Sequence, residues 1–373
     1  MTHSARFVDL VSARLSEFVG DRASILASVS PELLPFVEYS RLFLSGGKRF
    51  RALFSYWGFK AITEAGPPVA APFDSAPDDE LSVIVSVAAA LELFHAAALV
   101  HDDIIDNSDT RRGAPAVHML FRELHRQRGF AGTEAEFGRA AAILFGDLLL
   151  GWSDELLDEG LEALSDRAAA RRARAEFNLM RTEVTAGQYL DVFEEVAWNT
   201  ADDSELVLRA ERVALFKSAK YSIEAPLLIG AAVAGASAQE RASLSAFGRP
   251  LGMAFQLRDD LLGVFGDPAR TGKPAGDDLI EGKRTLLIAF AHERLGSGAR
   301  RLLDELLGDP SLRPEQIDVL QRTIVESGAA LRVEQLIRDY VAQALASLDS
   351  AVLGRAAVRE LRQLAESVTQ RER

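Results

Sequence analysis

Asp102, Asp103 and Asp106, followed at once by Arg111 and Arg112, put three carboxylates and two guanidinium groups into one short stretch. On a helix, residues four apart differ by about 40° in azimuth and stand one turn apart, so Asp102 and Asp106 point the same way from adjacent turns. Like charges so placed repel unless a cation lies between them. A second acidic stretch, Phe255-Gln256-Leu257-Arg258-Asp259-Asp260, is followed by Gly266-Asp267 and Gly272-Lys273. One such cluster alone reads as a solvated helix face or a capped helix end. Two clusters, each near a cation such as Arg111 or Lys273, suit one polyanion held through divalent metal. Hard oxygen donors with no cysteine fit magnesium, which is usually held by one or two carboxylates plus substrate phosphates.

Further cations stand beside breaks in the chain: Lys48, Arg49 and Arg51 after Gly46-Gly47, and Lys217-Ser218. Arginine offers a planar fork for phosphate, whereas Lys48, Lys217 and Lys273 act as point charges. His95 lies seven residues before Asp102, two turns away on nearly the same face. His95, Gln188 and Asp191 have bland readings as a satisfied core histidine and a polar stripe, and the residues by themselves leave all three unassigned.

These groups need long helices to hold them. A nearly unbroken apolar run, Leu81 to Val100, leads into Asp102, so the first acidic cluster ends a helix that leaves a core. Apolar residues three and four apart mark an amphipathic helix from Phe7 to Val29. Further helices are expected from Pro35 to Leu44, Pro115 to Arg128, Ala140 to Leu157, Ala168 to Val192, Glu205 to Ala219, Pro226 to Ala234 and Ser243 to Leu262. The remainder, to Glu366, alternates helical patterns with short breaks. Segment 62–80 reads as a surface loop, and 263–284, rich in glycine, as a functional loop. Nothing reads as a strand, so the expectation is one all-α domain over 1–373, a bundle of mainly antiparallel helices.

The 373 residues are 48% apolar, enough for a large core. The net charge of −13 argues against general affinity for nucleic acid. Absence of cysteine excludes disulfides and suits a reducing, cytoplasmic setting. Charged residues interrupt the N-terminus where a secretory signal needs an apolar core, and no stretch reads as long and apolar enough to insert stably in a membrane.

Gly46-Gly47-Lys48-Arg49-x-Arg51, Asp102-Asp103-x-x-Asp106 with Arg111-Arg112, Gln188-x-x-Asp191, Lys217-Ser218 and Phe255-Gln256-x-x-Asp259-Asp260 come in the order found in the trans-isoprenyl diphosphate synthases, or polyprenyl synthetases. The chain resembles that family over about positions 40 to 285, and is most similar to its bacterial geranylgeranyl diphosphate synthases. The resemblance implies helices around a deep central cavity, a homodimer, and magnesium-dependent head-to-tail condensation of isopentenyl diphosphate with allylic diphosphates. It implies that Asp102, Asp106 and Asp259 ligate three magnesium ions, with Asp103 and Asp260 secondary. Arg111, Lys217 with Ser218, and Lys273 would hold the allylic diphosphate; Lys48, Arg51, His95 and Arg112 would hold isopentenyl diphosphate. Gln188 and Gln256 would line the region where positive charge develops.

One position departs from the pattern: Gly263 stands where the second motif often has a third aspartate. A terpene cyclase would carry a different second motif and no isopentenyl pocket, and a non-catalytic partner subunit commonly lacks one or both Asp motifs. In the family, bulky residues four and five before the first motif stop growth at fifteen carbons. Here those are Ala98 and Ala97, and the next large group is Phe94, about one 5.4 Å turn deeper. The expected product is geranylgeranyl diphosphate; the alternative is a farnesyl or longer-chain diphosphate.

Overall fold

In a computed structural model, residues 3–65, 78–267 and 276–369 are described. Their architecture is all-α, as expected. The chain divides into two compact units, Met1–Arg174 with Ile229–Ala236, and Ala175–Leu228 with Ser237–Arg373.

The first unit opens with α1 (His3–Val29), α2 (Leu34–Phe43) and α3 (Phe50–Thr63). Its long members are α4 (Asp78–Ile105) and α6 (Glu134–Glu162), with α5 (Val117–Arg128) between them. Phe7, Val11, Leu15 and Phe18 place the apolar face of α1 in the core, where the Phe7 ring stacks on Tyr56 at 4.2 Å. Helix α4 packs closely on α6 because Gly146 and Gly160 leave room: a Cβ on Gly146 would lie 2.7 Å from His101 Cε1, and one on Gly160 2.9 Å from Ser86 Cβ.

Helix α4 also corrects an expectation. Its stretch Glu80–Ile105 is long and apolar enough to cross a membrane, with hydropathy 2.2, yet 83% of its most apolar window is buried inside the protein. Glu92 and His95 interrupt the run in the sequence, but neither lowers the mean hydropathy enough. Burial marks it as a core helix.

Continuous helix α7 (Arg167–Ala197) carries the chain from the first unit's residues into the second's. Then come α8 (Leu206–Val213), a π-helical segment (Ala214–Glu224), α9 (Ala225–Val233) and α10 (Ala238–Phe265). Ser237 and Glu240 form a reciprocal capping box at the start of α10. Five more helices follow: α11 (Asp277–Glu281), α12 (Leu286–Arg294), α13 (Ser297–Leu306), α14 (Pro314–Glu326) and α15 (Ala329–Ser347), with α16 (Arg355–Thr369) last. The second unit's core gathers Leu257, Leu261, Leu287, Phe290, Leu320 and Val333 from α10, α12, α14 and α15.

Several boundaries move. Helices α6, α7 and α10 all extend beyond their apolar-periodic cores, because capping and charged residues prolong a helix without leaving an apolar signal. The expected 263–284 loop begins inside α10 and contains α11, and its residues 268–275 lie outside the described part. Most of the expected 62–80 loop does too, at 66–77. The absence of strands is corrected by a minimal ladder, β1 (Thr110–Arg111) with β2 (Ala114–Pro115), so Pro115 belongs to a strand and α5 starts two residues later. Two residues per strand are too few for any period-two pattern.

Candidate active site

Both acidic clusters lie near the C-terminal end of a long helix, α4 and α10. That end carries the negative pole of the helix dipole, so carboxylates there are disfavoured twice, by the dipole and by one another, until a cation joins them. In the first unit, part of that cation is Arg111. Its Nε donates to Asp103 Oδ1 at 2.7 Å and its Nη2 to Asp102 Oδ2 at 3.2 Å. Asp103 is fully buried, Asp102 and Asp106 half-buried. Burial works against the Arg111 charge, but Asp103, Asp102 and Asp106 outweigh it and raise the guanidinium's pKa further.

The hairpin explains how two adjacent arginines serve different partners. Arg112 and Gly113 form the two-residue loop between β1 and β2, with φ of 55° and 75°, as a type I′ turn requires. Arg111 folds back on the end of α4, while Arg112 goes to the Gly46-Gly47 turn, where its Nη1 would lie 3.3 Å from a Cβ on Gly47. Both glycines have positive φ, 71° and 85°, so neither substitutes freely.

Around half-buried His95 the structure gathers cations. Burial pushes the imidazole well below its ordinary value, and Arg51, Arg112, Arg111 and Arg49 push it the same way, so it is neutral at pH 7. Arg49 itself is buried and paired with buried Glu92, Nη1 to Oε2 at 3.0 Å. Glu92 also accepts from Ala52 N at 3.3 Å, tying the start of α3 to α4. Of the four residues expected to hold isopentenyl diphosphate, His95, Arg51 and Arg112 are thus brought together. Lys48 is exposed, its Nζ 5.8 Å from the Phe50 ring centroid.

In the second unit, the π-helical segment brings Lys217 against α7. Gly187 permits this approach: a Cβ there would lie 2.6 Å from the Phe216 carbonyl carbon. One turn on, Asp191 accepts from Lys217 Nζ at 2.5 Å and from Lys283 Nζ at 3.2 Å. Burial alone would raise the Asp191 carboxyl, but the two ammonium groups hold it below its ordinary value. Lys283 was missed in the sequence. Its only signal is the run Gly282-Lys283-Arg284, and its partner Asp191 lies far away along the chain.

Asp260 on α10 is buried, and Gln256 Nε2 donates to its Oδ1 at 2.7 Å, so Gln256 positions this carboxylate. Burial first, then Asp278, Asp259 and Asp191, raises Asp260 well above the ordinary range, against the hydrogen bond from Gln256. Gln188 Nε2 is buried without a hydrogen-bond partner among the described residues, a donor with its hydration removed. Ser218 and Asp259 are half-buried, and Lys273 lies outside the described residues. Among the described residues, no three histidine or carboxylate side chains converge closely enough to hold a metal alone. The donors fit magnesium, which leaves part of its shell to phosphate and water.

The model of the polyprenyl synthetase family matches residues 36–324. The chain belongs to this family. It is similar to a geranylgeranyl pyrophosphate synthase from Corynebacterium glutamicum, whose crystal structure holds isoprenyl diphosphate and magnesium, at 40% identity and TM-score 0.89 over 98% of this chain and 99% of that one. A short chain isoprenyl diphosphate synthase from Methanothermobacter thermautotrophicus is 30% identical over 98% of this chain and 97% of its own length. A geranylfarnesyl diphosphate synthase from Aeropyrum pernix is 34% identical over 70% and 74%. The chain is therefore a prenyltransferase that condenses isopentenyl diphosphate with allylic diphosphates.

Proposed function

We propose that the chain is a geranylgeranyl diphosphate synthase of the cytoplasm, acting as a homodimer. What carries the reading of its site is the face of α4. His95 with its guanidinium neighbours and the Asp102–Asp106 pair lie on that face seven residues apart, about 10 Å. One helix end thereby offers a metal-free anion pocket beside a metal-dependent one, which suits two diphosphates of different fate.

In this reading Arg51, Arg112 and neutral His95 hold isopentenyl diphosphate, and Lys48 beside the Gly46-Gly47 turn adds a point charge. Asp102 and Asp106 on one unit and Asp259 on the other would each be magnesium ligands, and Arg111, Lys217 and Lys273 would each be contacts for the allylic diphosphate. Lys283 joins this set, because Asp191 orients it together with Lys217. Bound there, magnesium would supply charge neutralisation for the diphosphate leaving group, and Arg111 and Lys217 would add to it as the allylic carbon–oxygen bond breaks. The double bond of isopentenyl diphosphate attacks the allylic cation, and loss of a proton, with the departing pyrophosphate as base, gives a product five carbons longer. The Gln188 and Gln256 amides line the region of developing charge, and apolar walls keep out water that would quench it.

Product length is assigned from α4. Ala98 keeps some exposed surface, Ala97 has none, and Phe94 is buried. With alanine at the first two positions, growth continues past fifteen carbons and meets Phe94 at about one further five-carbon unit. The names of relatives include geranylgeranyl, which is this length, and geranylfarnesyl, one five-carbon unit longer. The test is product analysis with isopentenyl diphosphate and allylic starters of five, ten and fifteen carbons. Wild type should stop at twenty carbons, Phe94→Ala should run longer, and Ala98→Phe should stop at fifteen. Unchanged chromatograms for both variants would remove this wall as the determinant.

A further inference from the structure

The first acidic motif carries carboxylates at i, i+1 and i+4, as Asp102, Asp103 and Asp106; the second carries Asp259 and Asp260, then Gly263. Gly263 lies within α10, where glycine is about 1 kcal/mol less favourable than alanine and its conformational freedom is unused. Space accounts for it. A Cβ at this position would collide with Oδ2 and Cγ of Asp278 and would lie 2.6 Å from Oδ1. The Asp278 carboxylate fills the volume into which a side chain at 263 would grow.

The fold pins Asp278 there. Helix α11 is bracketed by Gly276 and Gly282, with φ of 74° and 80°. A Cβ on Gly276 would be 2.6 Å from Ile317 Cγ2, and one on Gly282 2.9 Å from the Gly308 Cα, so a side chain crowds one end of the helix and backbone the other. Leu279 is fully buried, and its carbonyl accepts from Gly308 N at 2.9 Å. The Asp278 carbonyl accepts from Lys283 N at 3.0 Å, which couples its position to the lysine on Asp191.

We propose that Asp278 is the third carboxylate of the second acidic motif, reaching in from α11 to hold, together with Asp259, the magnesium of that motif. Positions 259 and 263 are one turn apart on one face of α10, so Asp278 stands to Asp259 as Asp106 stands to Asp102. The motif is complete in space though broken in sequence. Two carboxylates still leave the rest of the octahedron to diphosphate oxygens and water. The inference rests on the reading of Asp259 as a magnesium ligand.

The test is magnesium titration of the full chain in the presence of inorganic pyrophosphate, read as the rise in melting temperature, so that turnover is not the measure. Wild type, Asp259→Asn, Asp278→Asn and the exchange Gly263→Asp/Asp278→Gly are compared. Asp278→Asn should melt like wild type without metal, yet need about tenfold more magnesium for half the rise. Asp259→Asn should lose most of the rise, and the exchange variant should return close to the wild-type midpoint. A wild-type midpoint for Asp278→Asn beside a weakened Asp259→Asn overturns the role of Asp278 and leaves the metal reading intact. A wild-type midpoint for both overturns the metal reading as well. Asp278→Asn keeps the size of the side chain, so it decides the matter even where the exchange variant does not fold.

Discussion

Asp103 and Asp102 adjoin on α4 and should behave differently when replaced. Asp103 is fully buried against half-buried Arg111, so Asp103→Ala leaves that guanidinium with Asp102 alone and should cost about 1–3 kcal/mol of stability, measured by urea unfolding. Asp102 is half-buried and shares Arg111 at 3.2 Å. Asp102→Ala should leave unfolding within about 1 kcal/mol of wild type while lowering kcat by about a hundredfold or more, because on the proposed function it deletes a metal ligand rather than a buried partner. Equal destabilisation by both would contradict this division. His95 supplies a pH test. Its folded pKa lies well below the ordinary 6.5, so as pH falls through about 6.5 the unfolded chain takes up the proton first and stability declines. Above that pH its contribution is fully present. His95→Gln should therefore lose less stability than wild type between about pH 7 and pH 5 in parallel urea titrations. Parallel pH profiles would place the histidine in an ordinary environment.

Among the elements, the π-helical segment Ala214–Glu224 depends for its position on glycines of two other helices. It is clasped by Gly187 of α7 and by Gly252 of α10, where a Cβ would lie 2.7 Å from the Ala219 carbonyl carbon. Alanine at 187 has no side chain that can turn aside, so the segment must shift and carry Lys217 with it. Gly187→Ala should cost about 1–3 kcal/mol of stability. It should also raise KM for the allylic diphosphate more than KM for isopentenyl diphosphate, since the proposed function gives Lys217 to the former. Steady-state kinetics with each substrate varied in turn checks this. A stability loss with both KM values unchanged would make the clasp purely structural.

At the scale of the whole molecule, α6 leaves part of its apolar surface exposed. Phe137 and Leu144 lie seven residues apart with 36% and 63% of their surfaces exposed, and Ile143 adds 42%. Exposed apolar residues on one face of a long helix suit a second copy of the chain. On the proposed homodimer, wild type should sediment as a dimer and Leu144→Asp as a monomer in sedimentation velocity; a monomeric wild type would refute the assembly. By itself the sequence determined the all-α class, the Asp102–Asp106 and Asp259–Asp260 helix ends and the basic turn after Gly46-Gly47. Each of these is a local pattern: apolar residues at helical spacing, carboxylates one turn apart, cations beside a glycine break. Only the tertiary structure decided which charges meet. It put Asp103 under Arg111, both Lys217 and distant Lys283 on Asp191, Glu92 on Arg49, and Asp278 in the space beside Gly263. Those pairings join residues from different elements, and their distances follow from how close two backbones may approach, which glycines such as Gly187 and Gly263 permit and no spacing along the chain encodes.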